Sequence, residues 1–163
     1  MSTTPRSRYA LMAALAVLLM GATAYAQPPL SGAGTFENIL VTIVSTRQAG
    51  PNTISEQIQT ATATGTLSGF VTNSVTCVTD STGKGSCHGT AMFVGSVVVD
   101  PNDTFNGTLE IQNESQVNGD EVEAAHFTIL SGTDELATLH GHGNFTGFFS
   151  LIGVYTMEYF FAP

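Results

Sequence analysis

The sequence predicts an all-β protein, and three observations carry that reading. After Ala26 no apolar residues recur at helical spacing over three turns, the pattern an amphipathic helix requires. Stretches rich in Val, Ile, Thr, Phe and Tyr instead follow one another, broken by short turn-forming segments. From Thr60 to Thr76 the even positions are almost all hydroxylic: Thr60, Thr62, Thr64, Thr66, Ser68, Thr72, Ser74 and Thr76. The odd positions Ala61, Ala63, Gly65, Leu67, Val71, Val75 and Cys77 are small or apolar. Side chains alternate across a strand, so the odd set should face a core and the even set water.

The first 26 residues read as a cleaved export signal. Arg6 and Arg8 form a basic start, Ala10 to Met20 an apolar run, and Ala24-Tyr25-Ala26 a small-x-small cleavage site. The apolar run is short for a membrane span, and no cysteine follows the cut to take a lipid. A secreted or periplasmic protein is expected. Cleavage leaves 163 − 26 = 137 residues, the size of one domain. Gln27 to Gly34, with its Pro and Gly, reads as a flexible lead-in, and 35–163 as the folded domain.

The mature chain keeps only Arg47 and Lys84 against thirteen acids, a formal charge of 2 − 13 = −11. Nucleic acid and anionic membrane, which select clustered Lys and Arg, are therefore excluded as partners. Sparse charge with abundant Thr, Ser, Asn and Gly suits strands with a hydroxyl-rich outer face.

Eight strands are expected: Thr35–Thr46, Thr53–Ala63, Thr66–Thr79, Ser86–Val99, Phe105–Glu114, Val122–Leu130, Leu136–Thr146 and Val154–Phe161. Turn chemistry separates them at Ala49-Gly50-Pro51-Asn52, Asp80-Ser81-Thr82-Gly83, Asp100-Pro101-Asn102-Asp103 and Asn118-Gly119-Asp120. The break near Gly65 is the faintest. Short strands joined by short turns argue for a meander closed into a barrel, or a sandwich. The odd parity extends downstream through Phe93, Val97, Leu109, Ile111, Phe127, Ile129, Leu139, Phe145, Met157 and Phe161. Gly89, Gly95, Gly107, Gly141 and Gly143 share it, leaving room for bulky neighbours or for a ligand.

Cys77 and Cys87 flank the Asp80–Lys84 turn with inward parity, so they should face each other across a hairpin. Cross-strand spacing lies within reach of a disulfide, and an oxidising compartment favours one. His140-Gly141-His142 places two imidazoles on one side of a strand, as in some zinc sites. Yet His88, His126, His140 and His142 are all even and should face outward, which argues against a metal centre. No serine sits in a Gly-x-Ser-x-Gly elbow, and no glycine loop opens a helix over phosphate. The Asn-x-Ser/Thr sequons at Asn102, Asn106, Asn113 and Asn144 are what an Asn- and Thr-rich chain supplies by chance.

Polar residues of inward parity are the candidates for chemistry: Glu37, Asn73, Asn113, Glu123, Tyr155 and Tyr159. Glu37 heads a run of inward Ile39, Val41 and Ile43, where desolvation would raise its pKa and suit it to proton transfer. Tyr155 and Tyr159 can line an apolar cavity while offering a hydroxyl, with Phe93 and Asn73 beside them.

The stretch Ile129-Leu130-Ser131-Gly132-Thr133-Asp134, then Gly141-His142-Gly143-Asn144-Phe145, then Tyr155 and Tyr159, resembles the last strands of the allene oxide cyclase-like barrels. That superfamily includes the dirigent proteins. Looser likeness runs through Gly65-Thr66-Leu67-Ser68-Gly69, Gly89-Thr90-Ala91 and Gly107-Thr108-Leu109. The family turn usually reads Gly-Thr-Gly; here Asp134 takes the final place, and Asp tolerates left-handed backbone. The resemblance implies a single eight-stranded antiparallel barrel of calycin type that shapes an apolar substrate without a cofactor, as a trimer in several members. No catalytic motif of the family matches, so no catalytic residue is carried over. The expected function is binding of an apolar small molecule in the lumen near Tyr155, Tyr159, Phe93 and Asn73. A cofactor-free cyclase or isomerase using Glu37 is the alternative, and a filled, structural barrel the third.

Overall fold

The computed structural model describes residues 28–119, 121–148 and 152–163, so the expected export signal lies outside the described residues. Eight strands follow in chain order: β1 (Leu30–Ala49), β2 (Asn52–Gly65), β3 (Leu67–Thr79), β4 (Lys84–Asp100), β5 (Asp103–Asn118), β6 (Glu121–Gly132), β7 (Leu139–Phe148) and β8 (Ile152–Phe161). Each pairs antiparallel with the next, and β8 returns to β1 to close the ring into a barrel. The turns sit where turn chemistry predicts them. In the β3–β4 turn the Asp80 carboxylate accepts the Thr82 hydroxyl at 2.7 Å and the N–H groups of Thr82 and Lys84 at 2.7 and 3.1 Å. The bonds from Thr82 hold that carboxyl below its ordinary range. Gly65, at φ +96, makes the abrupt passage from β2 to β3.

Several strands run longer than expected, β5 to Asn118 among them, and two differences change the architecture. The segment expected to be a loose lead-in is strand from Leu30 onward, because Leu30 to Glu37 form a ladder with Tyr159 to Ile152. Leu136 belongs to a short 3-10 turn, Asp134–Leu136, and β7 starts only at Leu139. Asp134 enters that turn with φ 54, the left-handed conformation that glycine would otherwise supply. The turn folds Leu136 down onto the end of the barrel, where it is fully buried.

Side-chain parity holds through β3, β4, β7 and β8 and fails at bulges. In β1 the register shifts between Glu37 and Leu40. Before the shift Phe36 faces inward, opposite buried Ala63, and Glu37 faces outward, opposite Thr62 and exposed Ile152. Ile43, opposite inward-parity Gln57 and next to a second shift before Ser45, is exposed rather than buried. In β6 a shift between Val122 and Ala125 buries Val122 and turns Glu123 outward, where its carboxylate accepts from the Asn118 amide at 3.2 Å. Each shift puts an extra residue on one strand and swaps the face of what precedes it.

The core divides along the barrel axis. At the end closed by Leu136, the side chains of Leu67, Phe93, Val97, Leu109, Leu139, Tyr155, Met157 and Tyr159 fill the lumen. Toward the β3–β4 turn a smaller cluster joins Val75, Cys77, Cys87 and Val117. Cys77 and Cys87 lie directly opposite in the ladder and are disulfide-bonded. Replacing both cysteines by serine should destabilise the protein by about 3 kcal/mol, the chain-entropy value for so short a loop. Urea denaturation midpoints of the two proteins check this, and an unchanged midpoint would assign the bond no stabilising role.

Candidate functional site

Between the filled end and the disulfide cluster lies a cavity of about 120 Å³. One wall is apolar: Phe36 and Ile39 of β1, Ile111 of β5, Val122, Ala125 and Phe127 of β6, and Phe145 of β7. The other carries amides: Gln59 of β2, Asn73 of β3 and Asn113 of β5, with Ser115 one inward position further along β5. Solvent reaches the cavity past Asn73, Asn113 and Ser115, which face inward yet are only half-buried. The space exists because Ala91 and Ala125 are small where neighbouring strands carry bulk.

The amides form a ladder across three strands. Asn113 Nδ2 donates to Asn73 Oδ1 at 2.9 Å, and Asn73 Nδ2 to Gln59 Oε1 at 3.2 Å. Gln59 Nε2 continues to Gln57 Oε1 at 3.3 Å, and Gln57 Nε2 to Ser55 Oγ at 3.0 Å. Gln59 is 8% exposed and would be costly there without those partners.

Of the residues expected to contact a ligand, Asn73 alone lines the cavity. Phe93, Tyr155 and Tyr159 belong to the packed end. Tyr155 serves as a tie. Its hydroxyl accepts the Leu67 N–H at 2.6 Å and donates toward the Thr64 carbonyl at 3.2 Å, holding the β2–β3 turn from inside the barrel. Burial pushes its pKa up to about 12, against the pull of the Leu67 hydrogen bond and with a small push from Tyr159. Burial raises Tyr159 as well.

Of the two roles expected of the inward glycines, room for bulky neighbours is the one the structure shows. Gly95 and Gly143, with Gly34 and Gly153, lie against aromatic rings, Gly107 against Leu136, and Gly89 against Val75. A Cβ at Gly143 would strike the Phe127 ring, one at Gly153 the Phe145 ring, and one at Gly95 would lie 2.9 Å from Phe93 Cζ. At Gly34 it would meet the Tyr155 ring, 2.7 Å from Cζ. Gly141 is closed by Tyr159, 2.9 Å from its Cβ.

Glu37 stands outside the lumen, where it accepts the Thr35 hydroxyl at 3.0 Å, and it takes no part in the cavity. His88, His126, His140 and His142 are exposed, and of the four His126 alone also borders the cavity. His142 lies 3.9 Å from Glu158, both largely solvated, and His140 stacks on Phe160 at 5.4 Å. No group of three metal-ligating side chains occurs among the described residues. Sequence reasoning passed over Gln57 and Gln59, although Ser55-x-Gln57-x-Gln59 repeats polar residues at the inward parity of β2 and could have marked the ladder.

No family profile matches the sequence, and no curated protein matches it. Among solved structures the chain is similar to a protein of unknown function from the DUF3224 family of Shewanella oneidensis MR-1, at TM-score 0.67 and 16% identity. That likeness covers 83% of this chain and 99% of the other, and at this identity it is a likeness of fold.

Proposed function

We propose that this protein is an exported barrel of the allene oxide cyclase-like kind that binds an apolar small molecule in its lumen. The observation that carries the reading is the cavity of about 120 Å³, apolar on one wall and amide-lined on the other. Sites of this form bind by burying apolar area while a few polar groups set orientation. An apolar protein cavity of about 150 Å³ takes benzene, so the space here suits a single ring with part of the ligand at the mouth. The buried disulfide supports an oxidising compartment. The outer face, rich in threonine, and the largely apolar interior are the inverse of a barrel built for lipid.

Binding is favoured over catalysis because Glu37, the carboxylate proposed for proton transfer, faces outward. Self-association, implied by the family resemblance as a trimer, is supported by an apolar outer patch in which Phe70, 70% exposed, pairs with Val94 beside Met92. Calorimetric titration with toluene and benzamide should give saturable binding to the wild type. Ala125→Leu and Ala91→Leu, which add bulk to the cavity wall, should weaken it at least tenfold while the protein stays folded. Absence of binding to the wild type, or equal binding by folded filled variants, would point instead to a structural barrel.

A further inference from the structure

Resting on the lumen-binding reading, we infer that the cavity selects an uncharged ring compound bearing a polar head, such as an amide or alcohol, and rejects carboxylates. Each side-chain amide has two N–H donors and a carbonyl. In the ladder every NH₂ of Asn113, Asn73 and Gln59 gives one hydrogen to its neighbour. One N–H remains on each of the three. The Asn113 carbonyl, at the end of the run, takes no bond from the ladder.

Rotating every amide by a half-turn preserves the bonds in reverse and replaces that terminal carbonyl by an N–H. With Asn113 donating to Asn73, its carbonyl and remaining N–H offer acceptor and donor side by side. This suits a head that both gives and takes a hydrogen bond. Across the cavity, Phe127, Phe145 and Ile111 supply the apolar face for a ring.

Charge supplies the rejection. Among the described residues no lysine or arginine lines the cavity; His126 borders it with an exposed side chain. The described chain carries Arg47 and Lys84 alone, both exposed on strands outside it. A carboxylate entering would lose water and meet the amides and the Ser115 hydroxyl with no lysine or arginine beside them, which cannot repay the desolvation of a full charge. The acidic net charge of the chain works in the same direction. A purely apolar ring has the opposite fault, since it displaces water from the remaining N–H groups and leaves them unpaired. Sites built to hydrogen-bond a head discriminate strongly against analogues lacking it.

Benzamide, benzoate and toluene separate these effects at pH 7, because the first two share a shape and differ in charge. Titration of the wild type should rank benzamide at least tenfold tighter than toluene and at least a hundredfold tighter than benzoate. Asn113→Leu should erase the preference, bringing benzamide to within about threefold of toluene. Should that variant fail to fold, Asn73→Leu breaks the same ladder two strands away, on β3. Benzoate within tenfold of benzamide, toluene equal to benzamide, or an unchanged preference in the folded ladder variants would overturn the inference and leave lumen binding standing. Failure of all three compounds to bind would overturn lumen binding, and this inference with it.

Discussion

Replacing Tyr155 by alanine should cost about 3–5 kcal/mol, the range for removing a buried aromatic side chain. Against a total stability of about 5–15 kcal/mol, that is enough to unfold a marginal domain. Tyr155→Phe isolates the hydroxyl. It keeps the ring over Gly34 and against Phe36, at a centroid separation of 5.0 Å, while stripping the Leu67 N–H of its partner. A buried donor left unpaired costs about 1–3 kcal/mol, the loss expected for this variant.

The same hydroxyl should make the protein alkali-sensitive. The folded tyrosine holds its proton up to about pH 12, whereas the unfolded one loses it near pH 10. Between those values the unfolded chain binds fewer protons than the native one, so stability falls as pH rises, by up to about 1.4 kcal/mol per unit. Below pH 10 the contribution is complete. Tyr159 is shifted the same way, so Tyr155→Phe should reduce the alkaline slope without abolishing it. Chemical denaturation at pH 9, 10 and 11 reads both effects, and a slope identical in the two proteins would show that Tyr155 is not the group responsible.

Gly143→Leu should prevent folding or cost about 3 kcal/mol or more. A Cβ there meets both the Phe127 ring and the Thr156 carbonyl, and that backbone is fixed by the β7–β8 ladder. Overpacking of this kind costs about 1–3 kcal/mol where side chains can yield, and more where backbone must move. Circular dichroism and the urea midpoint check it. A folded variant with a wild-type midpoint would mean that space beside Gly143 is free after all. Ala125→Leu is the contrasting case, since its added volume enters an existing cavity.

How far the sequence could be read depends on what alternation can resolve. Thr60 to Thr76 showed which face of β2 and β3 is solvated, and the turns at Asp80 and Asn102 showed where strands end. Cys77 and Cys87 were legible because a hairpin with one register places them opposite each other. Alternation is blind to an added residue, however. The shifts after Glu37 and after Val122 reverse the faces of Glu37 and Glu123 with no mark in composition. The glycines misled for a related reason. Absence of a side chain at Gly141 or Gly143 does not say whether the next strand already occupies the space, as Tyr159 Cβ does at Gly141 and the Phe127 ring at Gly143. The cavity follows from three-dimensional proximity of Gln59, Asn73 and Asn113, whose ladder spans 54 positions of sequence, 113 − 59.

Seven of the eight ladders join neighbours along the chain and can form as hairpins. The eighth pairs Leu30 with Tyr159, a separation of 159 − 30 = 129 residues. Local hairpins close quickly, while bringing such distant segments together carries the largest loop entropy and slows folding. Until that seam forms, β1 and β8 each present an open edge bearing apolar residues, Leu30 on one and Val154 and Phe160 on the other. Open edges of this kind recruit strands from other molecules. Refolding yield should therefore fall steeply with protein concentration, set by the lifetime of an unsealed eight-stranded sheet.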